Sequence, residues 1–344
     1  MTNGVVRTVL GDVEPTALGQ TLIHEHLILS LLCYWTPGDD VAVASARLDQ
    51  DNLATVRRNP FAVRRNLVID EIDVAIDEVS RFRVAGGGAL LEVTSTNVGR
   101  DVVALRLISE ATGVHVVAST GYYIGLSHPR GFEERTIESL TDEMVTDLTE
   151  GVDGTGICAG VIGEIGVGSC PMTDGERKML QAAAAAQAQV GAGMIVHPAP
   201  GVDSVFEITE VLTAAGALMD KVVISHLDER FMLDGEPFDR LAATGVIFGF
   251  DTFGRELYYA SRGRQHPSDD ARIERIRSLV DKGWADRIGL AQDVCIRHEL
   301  RTYGGQGYDH VLDHIVPRMI DAGIAQEAIT TMLTTVPMRV ATLG

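Results

Sequence analysis

The feature that most constrains the fold is an alternation: short apolar runs, each followed by a longer amphipathic stretch. The runs are TLIHEH (21–26), ALLEVTS (89–95), VHVVAST (114–120), AGVIGEIG (159–166), MIVHP (194–198), VVISH (222–226), GVIFGFD (245–251) and IGLAQD (288–293). Each is rich in aliphatic and β-branched residues and bounded by Gly or polar residues, as strands buried on both faces of a parallel sheet are. The stretches between them carry helical spacing. Over Asn66–Ala85, Val68, Ile72, Ile76 and Val79 share one face, and the GGG at 86–88 ends it. That GGG precedes a strand and lacks a P-loop lysine, so it reads as a helix-to-strand turn. Thr173 with Glu176 resembles a capping box ahead of the Ala-rich run 179–190. Asp269–Lys282 and Tyr308–Ala322 are amphipathic in the same way.

Eight strand candidates with helices between them predict an α/β fold, a TIM (β/α)8 barrel, with residues 1–20 as a short N-terminal β-hairpin. A length of 344 residues also allows two domains at roughly 150 residues each. The unbroken alternation favours a single barrel domain over 1–344. Three segments exceed ordinary loop length, 32–65, 121–135 and 252–268, and all three follow a strand, where this fold builds its active sites.

Charge and composition remove several functions. The chain has 29 Lys+Arg against 48 Asp+Glu, a net charge of −19, which repels nucleic acid and anionic lipid. No run approaches 18 uninterrupted apolar residues, so no membrane span is expected. The start, MTNGVVRTVL, lacks a basic segment followed by an apolar one, so no secretory signal is expected. Cys33, Cys158, Cys170 and Cys295 form no CxxC pair, which fits a reduced, cytoplasmic protein.

The histidines carry the chemistry. Four of the ten fall at the C-terminal ends of strand candidates: His24 and His26 on the first, His197 on the fifth, His226 on the sixth. His24 and His26 are two apart, so on a strand they share a face. Asp293 ends the eighth strand and Glu164 lies near the end of the fourth. One such histidine is more often a satisfied interior residue than a ligand. Six metal-competent groups at the catalytic end of their strands are not explained that way. Imidazole and carboxylate without thiolate suit zinc, with manganese, cobalt or iron as alternatives. Six ligands exceed the need of one tetrahedral ion, so two divalent ions sharing a carboxylate is the economical count.

These motifs resemble a known family. GQTLIHEH, TGYY at 120–123, AGVIGEIG, the strand-end HP, SHLDER, DTFG at 251–254, AQDV and YGGQGYDH at 303–310 are similar to the phosphotriesterase family of the amidohydrolase superfamily. The phosphotriesterase-related, or phosphotriesterase-homology, branch fits best, over nearly the whole chain. The resemblance implies that His24, His26 and Asp293 hold the more buried metal and that His197 and His226 hold the outer one. In phosphotriesterases proper a carbamylated lysine on strand four bridges the ions. Here the only lysines are Lys178, Lys221 and Lys282, none of them on strand four. The family position is Gly163, and Glu164 beside it is the anionic candidate, as the related branch implies. The one-residue offset requires strand four to bulge or twist so that Glu164 turns inward.

The implied reaction is hydrolysis by a bridging hydroxide, with Asp293 as the catalytic proton acceptor. The substrate expected is a small molecule, anionic or with a polarised carbonyl: a carboxylic ester, lactone or amide. A phosphotriesterase or phosphodiesterase is the alternative, and a non-catalytic metal-binding barrel a third. Tyr123 matches a tyrosine that approaches the metals in lactonase members. Arg255, Arg262 and Arg264 lie on the loop after strand seven, and Arg255, directly off the strand, is the favoured anion contact. Arg297, on loop eight, is another substrate-binding candidate. Three departures bear on the substrate rather than the metals. Thr252 stands where lactonases place Arg, HPAPG (197–201) where relatives often read HPGR, and Val336 where Asn is usual. A homodimer is open, since such barrels often pair through exposed loops, but no patch in the sequence decides it.

Overall fold

The computed structural model describes residues 4–36, 44–229, 232, 237–260 and 263–344. All eight expected strands form, as Gln20–Glu25, Gly87–Glu92, His115–Thr120, Val161–Gly166, Gly193–His197, Val222–Ile224, Ile247–Phe250 and Ile288–Leu290. They make one sheet in which each pairs in parallel with its neighbour in sequence. The seam between first and last is closed by other means. Asp293 N–H donates to His24 O at 3.3 Å. The carboxylate of Glu25 accepts from the N–H groups of Gln292 at 2.8 Å and Val294 at 3.0 Å. A Cβ on Gly289 would sit 2.5 Å from the Ile23 side chain, so glycine lets the two strands approach. The result is a TIM barrel.

Helices follow the strands and cover the sheet, among them Val102–Thr112, Ile137–Thr149, Asp174–Val190, Val202–Ala214 and Asp269–Asp281. Their starts are locally encoded. Thr173 and Glu176 make a full capping box, and Ser268 accepts from Ala271 N–H at the head of Asp269–Asp281. The hairpin Val5–Thr8/Gly11–Val13 lies at the N-terminus and takes Thr342–Leu343 as a third antiparallel strand. The segment expected to be helical over Asn66–Ala85 is α-helical only from Ile72 to Val84, after a 3-10 turn over Arg64–Leu67. Ahead of it, Val68–Ile69 pairs with Leu29–Ser30 as a short antiparallel ladder. Arg297 bonds to Val68 O from two nitrogens, at 3.0 and 2.8 Å, and these long-range partners outweigh the local helical spacing. No helix among the described residues is long and apolar enough to cross a membrane.

Candidate metal centre and substrate cavity

The strand ends bring the six predicted side chains together. His24 and His26 point to one face of the first strand and are buried, while Glu25 between them turns to the seam. On strand four the ladder shifts register between Ile162 and Ile165. Gly163 there has φ +117°, and a Cβ on it would meet Ile195 O at 2.2 Å, so only glycine fits the irregularity. Glu164, next along, directs its carboxylate into the histidine cluster. His226 and Asp293 take the left-handed backbone conformation at the ends of strands six and eight, φ 59° and 50°. Non-glycine residues in that region cost about 1–3 kcal/mol and recur where a site requires their direction.

The donor atoms converge in two overlapping groups, His24, His26 and Asp293, and His24, Glu164 and His226, each with one ligand atom per residue within 4.8 Å of the others. Glu164 Oε1 lies 3.5 Å from His24 Nε2, 3.1 Å from His197 Nδ1 and 3.3 Å from His226 Nε2. Asp293 Oδ1 lies 3.3 Å from His26 Nε2 and 3.7 Å from His24 Nε2. His197 Nδ1 and His226 Nε2 face each other at 2.9 Å.

The donor set fits divalent metal on two further observations. His24 Nε2, at the centre, is buried with no hydrogen-bond partner, although buried nitrogens are normally satisfied. The opposite nitrogens are engaged, as those of ligating histidines are. His24 Nδ1 meets Asp251 Oδ2 at 3.0 Å, His226 Nδ1 meets Asp251 Oδ1 at 2.9 Å, and His26 Nδ1 meets Thr94 Oγ1 at 2.9 Å. The field is strongly negative. Burial works against a charge on His24, yet Glu164 and Asp251 outweigh it and raise its pKa to about 9. Burial also opposes the charge on Asp251, but His226 and His24 hold it well below the usual carboxylate range. A field that draws protons onto buried imidazoles suits cations.

The cluster opens on a cavity of about 460 Å³, in the range of small-molecule sites. Its wall is mostly apolar and includes Phe61, Ile124, Pro198 and Tyr259. Tyr123 lines it, with its hydroxyl 3.4 Å from the His197 ring nitrogens and 3.1 Å from Tyr34 Oη. Arg255 also lines it, but its nitrogens are committed inward. Nη1 donates to Asp293 Oδ2 at 3.0 Å, Nη2 to Asp293 O at 2.5 Å, and Nε to Glu299 Oε1 at 2.9 Å.

Arg297 is a correction. It is 3% exposed and turns away from this cavity, toward Val68 O, Asp70, Glu71 and Tyr303 Oη. It braces the loop ahead of helix Ile72–Val84 and does not reach the substrate cavity. Arg262 lies outside the described residues.

Sequence reasoning missed Asp251, the carboxylate shared by two of the histidines. It follows strand seven directly, so the strand-end position that marked the six candidates was a signal that could have found it. It missed Thr94 and Glu92 too, whose 2.6 Å bond lies behind His26. Nor did it single out Glu229, which joins Arg264 and His266 at 2.7 and 3.0 Å.

The sequence profile of the Phosphotriesterase family matches residues 4–341. N-acetyltaurine hydrolase of Bos taurus is 42% identical over 336 residues, covering 96% of each chain. Among solved structures, a resiniferatoxin-binding protein from Rhodobacter sphaeroides is similar at TM-score 0.93 and 37% identity, covering 98% of this chain and 94% of that one. The phosphotriesterase homology protein of Escherichia coli, solved with phosphate in its active site, is similar at TM-score 0.78 and 28% identity, covering 94% and 98%.

Proposed function

The chain belongs to the phosphotriesterase family and is a hydrolase, and from that premise we propose that it cleaves the amide bond of a small anionic N-acyl substrate such as N-acetyltaurine. The observation that carries this reading is the pair of donor groups around the unpartnered His24 Nε2, together with full-length similarity to N-acetyltaurine hydrolases. His24, His26 and Asp293 would hold one divalent ion, His197 and His226 a second, with Glu164 between them. Zinc suits this set best, with manganese, cobalt or iron as alternatives. Two such ions would acidify a water and polarise the scissile carbonyl.

The remaining work falls to the protein's own groups. Asp293 Oδ1, among the histidine nitrogens, takes up the proton released in the attack and returns it to the departing amine. Arg255 holds the other oxygen, Oδ2, at 3.0 Å and so fixes which oxygen faces the substrate. The Tyr123 O–H, beside His197, is placed to donate to charge developing on the substrate oxygen. The apolar wall excludes water from the acyl group. A phosphoester reading is favoured only by the phosphate in the Escherichia coli relative.

The test is a metal-reconstituted preparation assayed on N-acetyltaurine, N-acetyl amino acids, lactones and paraoxon-like esters. Amine release from the N-acyl anions at the highest kcat/KM is expected. Faster turnover of lactones or phosphoesters, with no amine release, overturns the amide reading.

A further inference from the structure

Two arginines among the described residues line the cavity, and they are not equivalent. The nitrogens of Arg255 are spent on Asp293 and Glu299. Arg264 makes one contact, from Nη2 to Glu229 Oε2 at 2.7 Å, and its side chain is 27% exposed. Its Nε and Nη1 have no partner among the described residues.

The placement of Arg264 is built. Tyr258–Tyr259 and Arg264–Gln265 form a two-stranded hairpin on the loop after strand seven, with Tyr259 directly opposite Arg264. Cross-strand partners share a face. Tyr258 and Gln265 are exposed, while Tyr259 and Arg264 face inward. Glu229 ties this hairpin to the metal-site loop. Its Oε1 bonds His266 Nδ1 at 3.0 Å, and its Oε2 makes an ion pair with Arg264 that is not a hydrogen bond. Its own N–H donates to His226 O at 3.2 Å. Arg264 is thus fixed relative to His226 through one short turn. With Glu229 Oε1 bonded to His266 and Oε2 ion-paired to Arg264 without a hydrogen bond, the remaining edge of the guanidinium is the cationic surface presented to a ligand. A guanidinium edge suits the planar or tetrahedral oxygens of a carboxylate or sulfonate.

We propose that Arg264, held by Glu229, captures the anionic end of the substrate and selects sulfonate- or carboxylate-bearing amides over neutral ones. The inference rests on the amide-hydrolase reading for its choice of substrate, and its test separates the two. Wild type, Arg264→Ala and Arg264→Lys, each metal-loaded and checked for unchanged thermal melting, are titrated calorimetrically with butane-1-sulfonate, butanoate and butan-1-ol. The same proteins are assayed for KM and kcat on N-acetyltaurine and on neutral N-acetylethanolamine. Wild type binds both anions and discriminates against the alcohol. Arg264→Ala loses roughly 10- to 100-fold in anion affinity and in KM for N-acetyltaurine, the range of a charge-assisted pair, with kcat changed little. Arg264→Lys falls between. KM for the neutral amide stays at the wild-type value. Equal anion binding by wild type and Arg264→Ala overturns the proposal, as does an equal shift in KM for both amides. Arg264-dependent sulfonate binding without any amide hydrolysis overturns the amide reading and leaves the anion subsite standing.

Discussion

Asp251→Asn is the substitution whose effect follows most directly from the geometry. Asp251 is fully buried and serves two histidines at once. Oδ2 accepts from His24 Nδ1 at 3.0 Å, and Oδ1 accepts from His226 Nδ1 at 2.9 Å and from His226 N–H at 2.8 Å. An ionised carboxylate accepts on both oxygens and so keeps Nδ1 of both rings protonated, leaving Nε2 as the nitrogen that can exchange its proton for a metal. Asparagine keeps one acceptor and gains a donor. The orientation that preserves both His226 bonds turns the amide nitrogen toward His24. His24 Nδ1 then loses its carboxylate acceptor and keeps only Ser225 Oγ, at 3.1 Å, to take its proton, so the tautomer protonated on Nε2, the central donor atom of both ligand groups, gains. Two charge-assisted bonds weaken, and such bonds are worth about 1.5–3 kcal/mol each. A total near 3 kcal/mol corresponds to roughly 100-fold in metal affinity, at the upper end of losses for groups that orient metal-bound histidines. The assay is competition with a chromophoric chelator on the purified variant, with circular dichroism showing the fold retained. Metal affinity within about threefold of wild type would mean that Asp251 does not set the histidine tautomers.

Four further outcomes are expected. Glu164→Ala should retain at most one tightly held ion by elemental analysis, and two equivalents would count against the shared carboxylate. Asp293→Asn should lower kcat at least about 100-fold, within the range for loss of a general base; wild-type turnover with metal bound would end that assignment. Arg297→Met should lower unfolding free energy by about 1–3 kcal/mol, discounted because Asp70 and Glu71 are half exposed, while KM stays unchanged, since the side chain faces away from the cavity. His298 is buried, and desolvation pulls its pKa down to about 3. Its folded-state pKa is depressed, so its stabilising contribution is present above about 6.5 and is lost as pH falls toward 3, at about 1.4 kcal/mol per pH unit. Urea denaturation of the metal-free protein at pH 7 and pH 5 should therefore show a steeper loss for wild type than for His298→Gln, and equal losses would mean that His298 does not contribute to the acid sensitivity.

Much of this site was legible in one dimension because its information is local to strand ends. A strand's period places His24 and His26 on one face, and parallel strands of a barrel deliver their last residues to one mouth, so the positions of Glu164, His197, His226 and Asp293 followed from the order of the runs. What did not follow depends on partners distant in sequence. Val68 has helical spacing with Ile72, yet Leu29–Ser30 and Arg297 take that backbone into a ladder. The three arginines show the same limit. Arg255, Arg264 and Arg297 all lie on loops that leave the mouth, and a long flexible side chain turns to whichever carboxylate the fold supplies. Asp293 and Glu299 capture Arg255, Asp70 and Glu71 capture Arg297, and Glu229 leaves Arg264 with an open edge. Asp251 was visible as a strand end, but its role required knowing that strands one and six present imidazole nitrogens to both its oxygens.

We propose that the donors at the barrel mouth hold two divalent ions that hydrolysis requires. Zinc is added stepwise to metal-stripped protein, and the rate of amine release from N-acetyltaurine is measured at each addition. The rate should rise until two equivalents are bound and be flat beyond. A rate that saturates at one equivalent, or amine release that persists without added metal, would contradict it.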